Sequence, residues 1–355
     1  MHRLPLLVLF VIFSTMVVAQ SSQGGQHEPD SIKKVDFTVM PYLSYNRNLK
    51  LMIGAIPMSM YKLNKDDIVS QKSLSGISAI YTTNGSYFVA LFNRFFFAED
   101  KWRAKFFAFG GDYYSQFFMD DFEFPGFYDY GTKVYMASGS IQRQLFNKLY
   151  AGVSYTYAHY NTNYEDDVLP ESITETNGLE INALHDSRNA FYYPSHGKKI
   201  NLRWINYGEW FGNDVTSNKV VAEYNQYFST RQDKDVFAAR FSGQFGVGDI
   251  AFQQQQTLGG KDIRGYSEGK YRGDGIMALQ GEYRFNFREK MGVVGFAGLA
   301  TLYGSDTDDF NWKLYPGLGV GYRYRAFKTV KFNIGLDAAV GKDDWSLNFR
   351  IGESF

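Results

Sequence analysis

The chain has 355 residues with 37 basic and 37 acidic side chains, and this zero net charge argues against a nucleic-acid binder. It contains no cysteine, which excludes disulfides, thiolate metal sites and anchoring through a lipidated cysteine. Its 27 tyrosines, 32 phenylalanines and 35 glycines against only 8 prolines are unusual for a soluble enzyme, and suit a transmembrane β-barrel whose strands alternate apolar and polar residues.

Residues 1–19 open with His2 and Arg3, continue through the apolar run Leu4–Phe13 and end at Val17-Val18-Ala19. This is the pattern of a secretory signal cut after Ala19, and the run is short for a spanning helix. Residues 20–35 are polar and read as a short periplasmic lead-in. No second long apolar run follows, so membrane crossing by helices is not available to the rest of the chain. From 36 to 355 the sequence reads as one domain, an outer-membrane barrel; a soluble β-sandwich is the plainer alternative.

Segments of period-two alternation predict sixteen strands: 36–46, 50–61, 73–83, 86–97, 101–115, 132–146, 149–162 and 176–187 in the first half. The second half supplies 198–208, 217–230, 235–248, 274–287, 292–303, 314–325, 330–341 and 345–355. Across 275–287, Met277, Leu279, Tyr283, Phe285 and Phe287 take the apolar face, opposite Gln280, Glu282 and Arg284. Across 330–340, Val330, Phe332, Ile334, Leu336, Ala338 and Val340 oppose Asn333 and Asp337. In the last strand Trp345, Leu347, Phe349, Ile351 and Phe355 share the apolar face, and alternation places Glu353 among them. An even strand count lets an antiparallel sheet close, which removes edges that lipid cannot satisfy.

With a periplasmic N-terminus the turns on that side are mostly short, as at 98–100, 147–148, 231–234 and 288–290, while the external connections 116–131, 163–175, 249–273 and 304–311 are longer. The long periplasmic 62–72 and 188–197 and the tight external 84–85 break this rule. Acidic tips at Asp120-Asp121, Glu165–Asp167, Asp306–Asp309 and Asp343-Asp344 fall in external loops. They read as solvated ends, with divalent cations bridging to lipopolysaccharide as the functional alternative.

The longest external connection carries GGKDIRGYSEGKYRGDG at 259–275. It lacks the spacing of a phosphate-binding loop, and the Arg-Gly-Asp at 272–274 is a short string at a loop–strand junction, for which chance suffices. A solvated loop is the remaining bland reading. Against it, a glycine-rich loop can fold inward, and Arg264 would then need a carboxylate; Glu282 faces the same side by alternation, with Asp337 a second partner. The five histidines have no metal-ligand spacing, and His185-Asp186-Ser187 cannot converge as a triad because consecutive strand residues point to opposite faces. No cofactor, metal or catalytic residue is expected.

Leu258-Gly259-Gly260 followed by Ile263-Arg264-Gly265-Tyr266 resembles the Val/Ile-Arg-Gly-Phe/Tyr signature of the BamA/TamA superfamily of outer-membrane assembly barrels, carried on the sixth external loop of sixteen strands. DSRNAFYYPSHG at 186–197 is similar to the family's turn between its eighth and ninth strands, Gly281–Phe285 to the Glu-x-Arg-Phe strand after the loop, and Phe355 to its C-terminal aromatic. Two departures stand out. The roughly 16 residues of the lead-in are too few for even one POTRA domain, since domains run to about 50 residues or more, so the chain resembles a stand-alone barrel of this superfamily. The thirteenth strand reads Phe296-Ala297-Gly298-Leu299-Ala300, without the family's acid.

The resemblance implies a Gram-negative outer-membrane protein, not an enzyme, that assists insertion or translocation of proteins or lipids. It implies the same Arg264–Glu282 pairing, and a weak seam between the first strand (Phe37, Pro41, Tyr45) and the last (Trp345, Phe349, Phe355). Asp36, Pro41 and the closing Glu353-Ser354 favour an imperfect seam, because Pro41 cannot donate a ladder bond. Expected partners are outer-membrane lipids, lipopolysaccharide and a separate POTRA-type or exported protein. A loop-plugged transport pore is the main alternative, and an envelope hydrolase the lesser one.

Overall fold

The computed structural model describes residues 35–46, 49–119, 126–165, 169–259, 262–266, 270–326 and 331–355. The expected signal and nearly all of the lead-in lie outside these, as do Gly260, Lys261 and 267–269 of the glycine-rich loop.

The chain forms β1 (Val35–Asn46), β2 (Lys50–Tyr61), β3 (Ser73–Thr82), β4 (Tyr87–Phe97), β5 (Trp102–Met119) and β6 (Gly126–Phe146). Next come β7 (Leu149–Tyr164), β8 (Ser172–Asp186), β9 (Gly197–Tyr207), β10 (Ser217–Thr230) and β11 (Asp235–Gly248). The two-residue strands β12 (Gln256–Thr257) and β13 (Arg272–Gly273) pair within the long connection. The last five are β14 (Gly275–Arg288), β15 (Met291–Tyr303), β16 (Tyr315–Arg325), β17 (Asn333–Gly341) and β18 (Asp344–Ile351). All except β12 and β13 join one closed antiparallel barrel of sixteen strands, with β1 meeting β18.

Neighbouring residues show why the sheet closes with its apolar side out. Leu279 is 63% exposed while Gln280 beside it is 4%, and Leu336 is 38% exposed while Asp337 is 0%. The same inversion holds for Tyr322 against Arg323 and for Trp345 against Ser346. Buried charge beside exposed aliphatic and aromatic residues is the pattern of a barrel solvated by lipid outside and packed with polar groups inside. Each strand from β2 to β17 in the barrel is paired on both sides, which is how a sheet meets lipid without a helix.

Several boundaries differ from expectation. β5 and β6 continue past the predicted ends at 115 and 132, pairing through Ser115↔Tyr130 and Phe117↔Tyr128. There Phe117 packs edge-on against Tyr130 (5.9 Å), Tyr164 (5.7 Å) and Phe252 (5.6 Å), and these rings favour continued pairing where polarity alone suggested a loop. Asp344 is buried and starts β18, so it is not a solvated tip; Asp120, Asp121, Asp166 and Asp167 lie outside the described residues.

The largest correction is at the C-terminus. β18 stops at Ile351, and Gly352 (φ +81°) turns the chain so that outward alternation ends there. Glu353 is not on the apolar face: its side chain is 2% exposed and reaches Arg323 Nε at 3.1 Å. Phe355 likewise leaves the outer face and packs against the buried cluster of Tyr193, Tyr227, Val236 and Ala238. Phe332 precedes β17 and is buried with Met40, Ile56, Met58 and Met60 instead of facing lipid.

Candidate functional site

The segment Ile263–Tyr266 lies against the buried faces of β15, β16 and β17, and glycines make room for it. A Cβ on Gly265 would stand 2.5 Å from the Val340 carbonyl carbon, and Gly265 has φ +108°. A Cβ on Gly298 would meet Ile263 Cδ1 at 2.9 Å, and one on Gly341 would meet the Tyr266 ring at 2.5 Å. Close approach of backbone to sheet is what glycine permits and a side chain forbids. Ile263 and Tyr266 then join Leu258, Tyr271, Ile276 and Leu302 in a buried cluster. Tyr266 Oη donates to Pro316 O at 2.6 Å and accepts from Lys342 N at 3.0 Å.

Arg264, 1% exposed, donates from Nη2 to Glu282 Oε2 at 3.0 Å and from Nη1 to Asp337 Oδ2 at 3.2 Å. Its guanidinium also sits 3.4 Å from the centroid of Phe296, whose ring face attracts a cation. Glu282 Oε1 accepts from Arg284 Nε at 2.8 Å. Asp337 accepts from Arg323 Nη1 at 2.5 Å and Arg350 Nε at 3.1 Å. Glu353 closes the set against Arg323, with Asn333 Nδ2 donating to it at 2.7 Å. Four guanidiniums and three carboxylates are therefore interleaved among the described residues, each charge in contact with an opposite one, as groups this deeply buried require.

The loop residues, Glu282 and Asp337 are thus brought together, whereas Arg284, Arg323, Arg350 and Glu353 are members that pattern reading missed. Arg284 was signalled, two residues from Glu282 on the same face. The others were not, because Arg323 and Arg350 reach Asp337 as diagonal cross-strand neighbours: Arg323 and Arg350 both register with Gly335, two positions from Asp337. Only the register reveals that.

The sheet is weakest where it closes. All twelve residues of β1 register with β2, and all eight of β18 with β17, but between β1 and β18 the described residues give one registered pair, Tyr45↔Leu347. Side chains supplement it: Ser44 Oγ donates to Leu347 O at 2.9 Å, Tyr45 stacks on Trp345 at 5.1 Å, and Tyr42 meets Phe349 edge-on at 5.5 Å. Phe37 is exposed and Pro41 lies in the stretch of β1 with no registered partner on β18. Asp36 pairs with Lys72 at 2.5 Å, and Phe355 lies beyond the end of β18, packed on the Tyr193 cluster and not in the ladder.

At the other end, the connection 187–196 is held by Asp186, which accepts from Arg188 Nε at 2.7 Å and from Arg103 Nη1 at 2.8 Å. The loop 62–72 is organised by Asp67. Burial pushes its pKa upward, but donors from the Ser70 hydroxyl and from the amides of Ser70, Glu99 and Val69 outweigh that and hold it at about 2.

An apolar-outside, closed, even-stranded antiparallel barrel is an outer-membrane β-barrel of the Gram-negative type. The Omp85 superfamily domain matches residues 76–355, and the chain belongs to that superfamily. Among solved structures it is similar to BamA from Haemophilus ducreyi lacking POTRA domains 1–3, with TM-score 0.58 and 15% identity over 88% of this chain and 69% of that one. It is also similar to CdiB from Acinetobacter baumannii (TM-score 0.61, 14% identity, 90% of this chain and 60% of that one). CdiB from Escherichia coli gives TM-score 0.60 at 12% identity, covering 91% of this chain and 64% of that one. The chain thus spans about two thirds of the length of these structures, and at such identities they establish its fold. No curated protein matches it by sequence.

Proposed function

We propose that the chain assists the insertion or translocation of proteins or lipids by opening the seam between β1 and β18, without catalysing a covalent reaction. The single observation carrying this reading is the one registered pair at the seam, set against full registration of both strands with their other neighbours. An unpaired strand edge can template an incoming strand by edge addition, and an open seam gives a lipid or chain a lateral exit. The Arg264 network acts as the anchor for this movement: the loop folds into the lumen as a tether that holds β14 and β17 while the seam works. Outer-membrane lipids and lipopolysaccharide contact the exposed aromatic outer face, and a POTRA-type or exported protein is the soluble partner.

The test is a seam lock. Tyr45→Cys with Leu347→Cys places two thiols on the registered pair. Oxidised, the locked barrel should fail to restore the outer-membrane proteome and lipid composition of a depleted strain, and dithiothreitol should restore function. Full function of the oxidised double variant would sink the reading.

A further inference from the structure

Apart from the Arg264 network, the described interior holds a cavity of about 610 Å³, within the range of small-molecule sites. Its wall is strongly cationic. Seven arginines and lysines line it against three acids, Glu223, Asp262 and Glu353. Each acid is already engaged. Glu223 accepts from Lys199 at 2.8 Å, Asp262 from Ser242 and Gln244 at 2.7 and 3.0 Å, and Glu353 pairs with Arg323.

Two of the cations are left over. Among the described residues Lys105 makes no hydrogen bond or ion pair, and its side chain is open to the cavity. Arg94 has no carboxylate partner and rests 4.7 Å from the centroid of Phe191, whose ring also carries Arg188 at 4.7 Å. Arg94 and Lys105 are also directly registered across β4 and β5; Lys199 and Arg203 act on Lys105 as further like charges, each itself paired to an acid, and Glu180 opposes them. Like charges placed directly opposite destabilise a sheet pair. The contrast with β14–β18 is sharp, since every arginine of that network faces a carboxylate.

We propose that this cavity is a binding site for a small multivalent oxyanion, a phosphate or pyrophosphate group, held between Arg94 and Lys105 with Lys199 and Arg203 behind them. The group belongs to a free solute or to a lipid headgroup, which share this chemistry. The proposal does not rest on the seam's action, although Ile351 at the end of β18 borders the cavity.

The test uses the full chain purified in a neutral detergent. Inorganic pyrophosphate is titrated in calorimetry, and co-purified phospholipid headgroups are quantified by mass spectrometry. Pyrophosphate should bind saturably, weaken with salt, lose about tenfold in affinity in Lys105→Gln or Arg94→Gln, and keep its affinity in Lys105→Arg. Absent pyrophosphate binding together with anionic phospholipid retained by the wild type and lost from the double variant would identify a headgroup as the source. Lys105→Gln leaves no carboxylate unpaired, so it keeps the fold and decides the matter alone if the double variant fails to assemble. Neither ligand binding, or binding equal in Lys105→Gln and wild type, overturns the proposal.

Discussion

Arg264 donates to Asp337 at 3.2 Å although 73 residues separate them, so the loop before β14 is fastened to β17 as well as to the strand it enters. A tether with two anchors resists more than one with a single anchor. β15, which carries no acid across Phe296–Ala300, offers Arg264 the Phe296 ring, and β17 supplies a carboxylate.

Arg264→Ala should therefore destabilise the barrel by about 3–5 kcal/mol, the usual cost of removing one partner from a buried charge pair. Glu282→Ala should cost a similar amount because it takes a carboxylate from Arg284 as well, leaving that guanidinium Glu353 at 3.7 Å. The double variant should fall well short of the sum, since the two share an interaction. Urea unfolding followed by heat-modifiable gel mobility measures all three, and simple additivity would mean that the loop is not held by this pair.

Asp337→Asn tests the wider network. It weakens the link to three guanidiniums at once, those of Arg264, Arg323 and Arg350. Its effect should exceed that of Glu282→Gln, which faces Arg264 and Arg284. The same unfolding assay ranks the two.

Glycine positions under the loop make a steric prediction. Gly265→Ala forces a side chain against Val340 at a backbone angle that disfavours it, at a cost of about 1–3 kcal/mol of overpacking. The loop should lift, and trypsin should cut after Arg264 in the variant but not in the wild type. Equal resistance to trypsin would show that the seat tolerates the methyl.

Phe355→Ala separates a packing role from an outward one. Its ring packs on the Tyr193 cluster and its carbonyl oxygen accepts from Arg284 Nη2 at 2.7 Å. Truncation should destabilise by less than the about 3–5 kcal/mol of a fully buried phenylalanine, because the ring is only partly covered. Thermal unfolding in detergent reads it, and an unchanged midpoint would mean the tail adds no stability.

Asp67 gives a pH dependence. Its folded pKa is depressed to about 2 from the ordinary 3.8, so its contribution is complete above about 4 and disappears as the pH falls through about 2. Below that the loop 62–72 should release the turn at Glu99 and Asp100, whose amides bond to Asp67 and Ser70. Fluorescence of Trp102, next to that turn, should change across this window in the wild type and not in Asp67→Asn.

The sequence by itself determined the strand count, most of the in–out alternation and the face shared by Glu282 and Arg284, because each follows from a period of two residues and the requirement that lipid meet no unpaired edge. Family motifs at 263–266 and 281–285 were legible for the same reason: they are contiguous. Only the tertiary structure decided the threefold embrace of Asp337, the single registered pair at the seam, the inward turn of Glu353 and Phe355, and the face-to-face cations Arg94 and Lys105. Those depend on the register between strands far apart in the chain and on where one glycine ends an alternation, and neither is written in the local pattern.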